Sequence, residues 1–514
     1  MSWPSIQMDS IPPKKQSTAT KDKVVLFGTR TRFFIIALLL LCLTSIWCNV
    51  LTYNFAVICM HPHRNSNGSY TSLTLEMMKD ASIHDDEEPH VISFSGNEII
   101  WYTANDKSLL VAVVAAGALA ANFGAVYMIN QFGIRMVFGL LGLLSAIATI
   151  LIPSAARLGL RYFLMMRFLQ GVAFSANFAV IGSFSNKWTY HKQHGMFVSA
   201  LVAHLQLSPA LTMPLSSMLC TNFGWPSVYY SHGAISLVIF VFFIMVYRNS
   251  PNKHPLVGNI ELKKISVGKE SISKAEQKSI PYAAILKSWP VWAIWVAGIG
   301  AFSTVNMMSL FAPTYLHAVL GFEVKHTGIS AAIPPLLQFL IKLSCGIISD
   351  KLRSIPETKK LKYFNTAAFL GSAVCLAALA FMDPQYQLVC LALLAGSTGF
   401  LGLTTGGFFK SPPLIARHYA HFVMGNVAFA ITTTMLLIPF LISGLAPDNT
   451  ALQWRYVFII IAIVMLLSNA FFVMFGSGSV QPWAMSQSRM QSSTDVMRTT
   501  NKVAPVPQNG AEKV

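Results

Sequence analysis

The stretch that decides the fold is Ile35–Met60, which reads IIALLLLCLTSIWCNVLTYNFAVICM and contains no Asp, Glu, Lys or Arg. A helix needs about 20 consecutive apolar residues to cross the hydrocarbon core of a bilayer, and this stretch exceeds that length. Two more stretches of the same kind, Leu109–Ile129 and Leu388–Phe409, occur further along the chain. The pattern predicts a helical protein that crosses a membrane several times.

The overall composition points the same way, since 54% of the 514 residues are hydrophobic and 11% are charged. A soluble domain typically carries about 25% charged residues, so a soluble protein of this length would lack a solvated surface. The net charge of +17 does not indicate nucleic-acid binding, because Lys and Arg cluster in short segments between the apolar stretches. That arrangement is the positive-inside pattern of membrane proteins.

Hydropathy predicts an all-α membrane protein with twelve spans in two six-helix halves. The predicted spans are 33–59, 108–130, 136–155, 160–183, 196–219, 228–247, 289–315, 327–349, 364–382, 387–409, 422–445 and 455–475. These spans divide the chain into an amino tail at 1–32, a first half at 33–247 with a loop at 61–107, a linker at 248–288, a second half at 289–475 and a disordered tail at 476–514.

The basic residues predict the orientation of the spans. They concentrate in the amino tail, in the linker and after span eight, so these segments and both termini are expected in the cytoplasm. The loop at 61–107 then faces the exterior or a lumen. It contains the sequon Asn67-Gly68-Ser69, which predicts glycosylation of Asn67.

Seven cysteines lie in or at the ends of the apolar stretches, and the loop at 61–107 contains none. Their positions show no paired spacing of the kind that holds zinc. The sequence therefore predicts neither a disulfide framework nor a metal site. The cysteines are expected to act as small apolar side chains in helix packing.

Two loops suggest that the halves are repeats of one unit. Residues Asn130–Arg135 follow span two, and residues Gly346–Arg353 follow span eight. Both resemble the Asp-basic-x-Gly-basic turn that major facilitators place at these equivalent loops. That resemblance implies two similar halves related by an axis along the membrane normal.

A longer set of segments resembles the anion–cation symporter family, which includes the vesicular glutamate transporters, sialin and the type I sodium–phosphate cotransporters. The order and spacing of these segments run through most of the chain. The segments are Ile152–Ala156, Arg167–Gly171, Asn186–Trp188, Met213–Leu215, Ser250–Pro255, Pro290–Ile294, Pro313–Tyr315, Asp350–Arg353, Gln453–Phe458 and Phe475–Trp483.

The resemblance implies transport of an anion by alternating access, but most charged residues of the family's site are replaced here. The family's Arg in span one, His in span two, Glu in span four and Arg in span seven align with Thr52, Val111, Phe174 and Ala301. Only Arg167 remains of that set. Glutamate, aspartate and sialic acid are therefore open to question as substrates.

Arg167 in span four is the first candidate for binding the substrate. A charge at that depth costs on the order of 3 kcal/mol unless it faces protein or water. Its guanidinium can grip a carboxylate or a phosphate with two hydrogen bonds, and Gln170 shares its helical face. The alternative is an arginine that snorkels to the outer headgroups.

Lys342 in span eight is the second candidate, with Gln338 one turn before it. It could place a positive charge on the cavity from the opposite half. Equally, it could reach back to the cytoplasmic interface, because lysine snorkels readily. Asn54 lies on a polar face of span one, where lining the cavity and bonding to another helix are equally plausible roles.

The predicted spans contain no Asp or Glu, so a carboxylate proton relay is not expected. The titratable candidates in the spans are His204 and, at the start of span six, His232. Transport driven by sodium or by the membrane potential remains open. No other cofactor is expected, and Thr304, Asn306 and Ser309 are candidates to line a sodium site, although helix–helix hydrogen bonding is the commoner role.

The leading hypothesis is thus a transporter that acts as a monomer on a small anion, in a plasma, vesicular or lysosomal membrane. The alternative is a protein of the same fold that senses or scaffolds without transporting, since most of the family's charges are absent. No nucleophile–base pair or metal-ligand cluster indicates an enzyme. Neither tail of the chain distinguishes these membranes.

Overall fold

The computed structural model describes residues 30–60, 91–94, 97–100, 102–189, 194–266, 281–352 and 354–484. Within them, twelve helices are long and apolar enough to cross a membrane, which confirms the helical fold. Numbered as spans one to twelve, they are Thr31–Cys59, Ala104–Phe132, Ile134–Leu158, Leu160–Ser185, Met196–Phe223, Trp225–Val246, Trp289–Val319, Val324–Gly346, Glu357–Phe381, Gln387–Ala416, Phe422–Leu445 and Ala451–Phe475.

Several spans are not single α-helices. Span seven comprises Trp289–Thr314 and the π-helix Tyr315–Val319. The helices of span four are Leu160–Phe174 and Asn177–Trp188, and those of span five are His194–Val202 and His204–Phe223, so both spans continue as helix slightly beyond the bounds given above. Span ten comprises Gln387–Leu401, the short 3₁₀ segments Gly402–Thr405 and Phe408–Lys410, and Ser411–Ala416. The α-helices of spans eight and eleven are longer, at Val324–Lys351 and Ala420–Leu445.

Single glycines join consecutive spans in the first half. Gly133 has a φ of 84° and connects span two to span three. Gly159 has a φ of 129° and connects span three to span four. Only glycine adopts such values without strain, so the chain can reverse direction across one residue. These tight reversals make the sequential spans antiparallel neighbours.

A glycine pair brings spans two and four together. A Cβ atom at Gly171 would lie 2.0 Å from the carbonyl oxygen of Val114, and one at Gly117 would lie 2.4 Å from that of Phe168. The absence of side chains therefore permits backbone-to-backbone contact, as is common between membrane helices. Because of this contact, the side chain of Arg167 in span four lies within hydrogen-bonding distance of a backbone carbonyl group of span two.

The two halves meet along two pairs of spans, five with eight and two with eleven. Ser217 of span five donates a hydrogen bond to the carbonyl oxygen of Val324 at the start of span eight, at 2.9 Å. The buried apolar side chains of both halves form one continuous core. Polar and apolar contacts therefore join the two halves along these two pairs of spans.

A disulfide joins Cys59 at the end of span one to Cys220 near the end of span five, with the Cα atoms 6.5 Å apart. The prediction that the cysteines only fill space was therefore wrong for this pair. The two residues are 161 positions apart, and only the packing of span one against span five brings them together. Cys42, Cys48 and Cys390 are buried and unpaired.

The disulfide defines one face of the bundle, which we call the loop side. On it, strands β1 (Val91–Phe94) and β2 (Asn97–Ile100) pair as an antiparallel hairpin between spans one and two. The expected fold had no such strands. A backbone hydrogen bond from Ile100 to Met60 ties the hairpin to the end of span one.

On the opposite face, which we call the linker side, the chain between the halves packs against the first half. It contains a 3₁₀ turn at Pro251–Lys253 and the helix Asn259–Ser266, and a short helix at Tyr282–Leu286 precedes span seven. The buried carboxylate of Glu261 accepts hydrogen bonds from the backbone amides of Thr31 and Arg32, at 3.2 and 3.0 Å. A linker residue thus caps the amino end of span one.

Candidate functional site

A lysine and two glutamines connect the halves within the membrane-spanning length. The Nζ atom of Lys342 lies 3.4 Å from Oε1 of Gln206 in span five. The Nε2 atom of Gln206 lies 3.4 Å from Oε1 of Gln338, which shares the helical face of Lys342. Both glutamines are buried and Lys342 is half-buried. A positive charge therefore lies between the halves in contact with neutral groups.

The surroundings of Lys342 leave its charge uncompensated within the described part of the chain. No described carboxylate forms an ion pair with it, and the ring centroid of Phe409 lies 5.9 Å from its ammonium. A half-buried ammonium over an aromatic face has both the charge and the access to meet an anion. This geometry agrees with the cavity interpretation of Lys342, whose role in binding stays a prediction.

His204 lies two residues before Gln206 and is fully buried. Its Nδ1 atom lies 2.8 Å from the carbonyl oxygen of Leu201, and its ring packs against Phe178 at 6.2 Å. Its Nε2 atom finds no hydrogen-bond partner among the described residues. The second candidate, His232, is also buried, and its Nδ1 atom lies 2.9 Å from the carbonyl oxygen of Val228.

Arg167 is fully buried inside the first half, in contact with spans one and two. Its Nε atom donates to the carbonyl oxygen of Leu110 at 3.0 Å, and Nη1 donates to that of Val50 at 2.8 Å. The ring of Tyr53 lies beneath the guanidinium at 5.0 Å. The snorkelling interpretation therefore does not describe this side chain, which points into protein.

Two other predicted residues have different surroundings. Gln170 accepts a hydrogen bond from Nη1 of Arg167 at 2.8 Å and donates to the hydroxyl of Thr149 at 2.8 Å and to the carbonyl of Asn49 at 3.0 Å. Asn54 is buried in span one, and neither of its side-chain polar atoms has a partner among the described residues. The structure thus joins Arg167 and Gln170 directly, and Lys342 belongs to a separate cluster.

Polar groups without partners surround Arg167. Its Nη2 atom and the hydroxyl groups of Tyr53 and Tyr229 are buried and make no hydrogen bond within the described residues. Tyr229, from span six, lies within electrostatic reach of the guanidinium. Buried polar atoms without partners are rare and costly, so this cluster has unused capacity for hydrogen bonding. A water molecule or a ligand could use it.

The candidates for ion coupling are divided between two places. Asn306 donates to the carbonyl oxygen of Ile431 at 3.0 Å and to the hydroxyl of Thr434 at 2.9 Å, so it joins span seven to span eleven. Thr304 points to the sulfur of Met465 at 3.0 Å. Ser309 instead lines a small cavity between spans five, seven, eight and ten, together with Gln338.

Other parts of the predicted site lie elsewhere. No group of three or more His, Cys, Asp or Glu side chains within the described residues could hold a metal ion. Asn67, the predicted glycosylation site, lies outside the described residues.

The sequence did not reveal Gln206 and Phe409 as site residues, because each contacts Lys342 from a different span. Spacing along one helix does not reveal such a partner.

The comparisons with known proteins agree with this fold. The family model described as Major Facilitator Superfamily matches residues 68–439. Sialin of Homo sapiens is 30% identical over 365 residues, which cover 70% of this chain and 73% of sialin. Vesicular glutamate transporter 2 of Mus musculus is 28% identical over 365 residues, which cover 70% of this chain and 62% of that protein.

Solved structures share the fold at low sequence identity. A bacterial homolog of the human lysosomal transporter Spinster, in an inward-facing and unoccupied conformation, has a TM-score of 0.62 at 11% identity and covers 88% of this chain and 99% of its own. A D-xylose–proton symporter has a TM-score of 0.59 at 12% identity and covers 87% of this chain and 98% of its own. At such identities the likeness concerns the fold alone.

Proposed function

The chain belongs to the Major Facilitator Superfamily, and from that membership we propose that it carries a small organic or inorganic anion across a membrane by alternating access. It is an integral multi-pass membrane protein and a homologue of sialin and the vesicular glutamate transporters. Its relatives in this class are transporters, so the proposal is for transport rather than catalysis.

The observation that carries the proposal is the position of Lys342 between the halves. Its ammonium contacts Gln206 of the first half at 3.4 Å and belongs to span eight of the second half. In alternating access, each half faces the substrate from one side, so a cation at this boundary stays beside the substrate as the halves rock. An anion bound there would supply the negative charge that the neutral groups around Lys342 do not provide.

Arg167 is the second cation of the proposed path. In the present conformation two backbone carbonyls and Gln170 hold it, while its Nη2 atom keeps unused donors. Asn54 also keeps unused polar atoms in span one. A rearrangement of span one against span four would expose these groups together, and a planar guanidinium suits the oxygens of a carboxylate or phosphate.

The driving force in this proposal is a sodium gradient or the membrane potential. Within the described spans, the only acidic residues are Asp106 and Glu357, and both lie in the first turn of a helix. Neither lies at the depth where proton-coupled carriers place a titrating carboxylate. His204 is the remaining titratable group near the cluster of Lys342, and its free Nε2 atom keeps a coupled proton among the alternatives to test.

We further propose that the linker side faces the cytoplasm, with both termini there, and that the protein acts as a monomer in a plasma, vesicular or lysosomal membrane. The support is the concentration of Lys and Arg in the amino tail and the linker. The disulfide between Cys59 and Cys220 agrees with an exterior or lumenal loop side, since disulfides persist in oxidising compartments.

The test is uptake into liposomes that contain the purified protein. Labelled phosphate, glutamate and a panel of other organic anions would each be offered under a sodium gradient, a pH gradient and an imposed potential. Lys342→Gln removes the charge at the boundary and should lower uptake on the order of tenfold or more. Lys325→Gln changes an exposed lysine on the same span and serves as the matched control.

Accumulation of one anion by the wild type and the control, but not by Lys342→Gln, would support both the function and the role of Lys342. The gradient that drives it would identify the coupling. If no anion moves under any gradient while the protein keeps its thermal stability, the proposal of transport fails. The interpretation as a sensor or scaffold would then be the better one.

A further inference from the structure

A cavity of about 310 Å³ opens where span nine ends and span twelve begins. Because consecutive spans alternate in direction, this is the same face on which span one ends, namely the loop side. The volume lies at the lower end of the range that is usual for small-molecule sites. The lining includes Arg455 of span twelve, Tyr315 of span seven, and Phe381 and Asp383 at the end of span nine and just after it. All of its residues belong to the second half, so the cavity lies apart from the boundary between the halves.

The guanidinium of Arg455 is fixed in position but keeps unused donors. Its Nε atom donates a hydrogen bond to the carbonyl oxygen of Ala380 at 2.9 Å, and its central carbon lies 5.5 Å from the ring centroid of Phe381. Within the described residues, Nη1 and Nη2 make no hydrogen bond, and no carboxylate forms an ion pair with Arg455. A guanidinium with both terminal nitrogens free suits the oxygens of a phosphate, which accept parallel hydrogen bonds.

A negative charge lines the same cavity. Asp383 is exposed, and its Oδ1 atom accepts a hydrogen bond from the backbone amide of Gln385 at 3.0 Å. Within the described part of the chain, Asp383 forms no ion pair with Arg455 or with any other cation. The cavity therefore carries two separate and opposite charges. A simple anion would be repelled by Asp383, whereas a ligand with an anionic group and a cationic group can satisfy both side chains.

An aromatic ring between these charges favours an ammonium group as the cationic end. Phe381 holds Arg455 over its ring, yet 69% of the residue remains exposed. The face of an aromatic ring attracts ammonium groups, quaternary ones included. Beneath it, Tyr315 packs against the rings of Trp454 and Phe458, each at 5.1 Å, so the floor of the cavity is well packed.

The side chains around the cavity indicate its depth in the membrane. Tyr386 and Tyr456 are exposed near its mouth, and tyrosine is enriched at the boundary between membrane and water. Leu388 and Leu452 are exposed at the same ends of spans ten and twelve, as residues in contact with lipid would be. The cavity therefore opens at the level of the lipid headgroups, where phosphate and ammonium groups are concentrated.

We propose that this cavity binds a zwitterion that carries a phosphate and an ammonium group, namely the headgroup of a phospholipid such as phosphatidylcholine in the leaflet on the loop side. The phosphate binds the free nitrogens of Arg455, and the ammonium lies beside Asp383 and the ring of Phe381. A headgroup held in this way joins the end of span nine to the start of span twelve. The site does not depend on which anion the protein carries.

The experiment counts bound lipid on the full-length protein by native mass spectrometry. Protein purified in detergent would be titrated with dimyristoyl phosphatidylcholine, and with dimyristoyl phosphatidylglycerol as the lipid that has no ammonium. We expect the wild type to bind one phosphatidylcholine in preference to phosphatidylglycerol. Arg455→Gln should weaken this binding on the order of tenfold, because the phosphate loses its charged partner. Arg161→Gln removes an exposed arginine on the same side of the first half and should bind as the wild type does.

Asp383→Asn tests the cationic end of the ligand. It keeps the oxygen that accepts from Gln385 but removes the charge, so the preference for phosphatidylcholine over phosphatidylglycerol should disappear. Asp448→Asn makes the same change at an exposed position outside the cavity and should leave the preference intact. The thermal midpoint of each variant without added lipid separates a loss of binding from a loss of folding.

Phosphocholine, which is the headgroup without its chains, distinguishes the two sources of this chemistry. Binding of phosphatidylcholine but not of phosphocholine assigns the site to a membrane lipid, and binding of both with equal affinity assigns it to a soluble zwitterion. Either result supports the site when Arg455→Gln weakens it. Equal binding of phosphatidylcholine by the wild type and Arg455→Gln, or an unchanged lipid preference in Asp383→Asn, overturns the proposal.

Discussion

The ammonium of Lys342 lies 3.4 Å from the side-chain oxygen of Gln206, and these two residues belong to opposite halves of the molecule. The contact crosses the boundary along which the halves must separate in alternating access. It joins a charged group to a neutral one, so it can break at a small cost in free energy compared with a buried ion pair. This relationship underlies the first prediction.

Replacing Gln206 with Glu should abolish transport by supplying a permanent partner for Lys342. The new carboxylate would form an ion pair with the ammonium and compete with the anion, and anion affinity should fall on the order of tenfold or more. Uptake into liposomes measures the competition with the anion. The midpoint of thermal unfolding measures the effect of the new ion pair on stability. Gln206→Leu removes the contact without adding charge and should retain more uptake. Equal uptake by Gln206→Glu and the wild type would exclude Lys342 as the anion anchor.

Arg167→Lys should destabilise the protein although it keeps the charge. The guanidinium reaches the carbonyls of Leu110 and Val50 and the side chain of Gln170 at once, and one ammonium does not reproduce that fork. Loss of buried hydrogen bonds to a charged group costs about 1.5–3 kcal/mol each in order of magnitude. Thermal unfolding in detergent measures it. Arg161→Lys on the same span is the control, since Arg161 is exposed, and equal midpoints for the two variants would contradict the prediction.

Gly171→Ala should separate spans two and four. Its Cβ atom would lie 2.0 Å from the carbonyl oxygen of Val114, which is backbone and cannot move aside as a flexible side chain would. Overpacking of this kind costs about 1–3 kcal/mol, so the thermal midpoint should fall by several degrees. Gly124→Ala lies on span two with no atom within 4 Å of its new Cβ, and it should be neutral. A neutral Gly171→Ala would show that the two spans are not in close contact.

Glu261→Gln should weaken the attachment of the linker to span one. The carboxylate accepts two backbone amides at the positive end of that helix, and an amide lacks the charge that makes such a cap favourable. A loss of about 1 kcal/mol is expected. Thermal unfolding and hydrogen exchange of the amides of Thr31 and Arg32 report the effect. Glu323→Gln at the start of span eight, where the side chain makes no capping bond, provides the comparison.

Reduction should reveal one disulfide that involves Cys59 and Cys220. Denatured protein treated with a maleimide polymer should carry two more labels after reduction than before it, and Cys59→Ser with Cys220→Ser should remove that difference. The double variant should lose about 2–4 kcal/mol of stability, since the bond links residues 161 positions apart. Identical labelling before and after reduction would contradict the assignment.

Hydropathy was sufficient for the fold because a membrane helix is defined by its own composition. The predicted spans at 33–59 and 422–445 nearly match Thr31–Cys59 and Phe422–Leu445. Span ten was predicted to end at residue 409 but continues to Ala416. The extension begins at Lys410, the last residue of the second 3₁₀ segment, and the charge of Lys410 lowers the local hydropathy. The hydropathy pattern does not predict where a span changes from α-helix to 3₁₀-helix.

The candidate site was predictable only where it lies on one helix. Arg167 with Gln170, and Lys342 with Gln338, follow from helical spacing. Their partners on other spans do not, because those contacts depend on how the halves pack. The disulfide illustrates the same limit, since nothing in the local sequence of either cysteine indicates the other.

The cap that Glu261 provides also has a consequence for biosynthesis. Glu261 and Thr31 are 230 residues apart, so the first helix enters the membrane long before its cap has left the ribosome. The first half is therefore unfinished when span six ends at Val246, even though hydropathy alone would end the half there. A fragment intended to represent the isolated first half should extend to Ser266, where the linker helix ends.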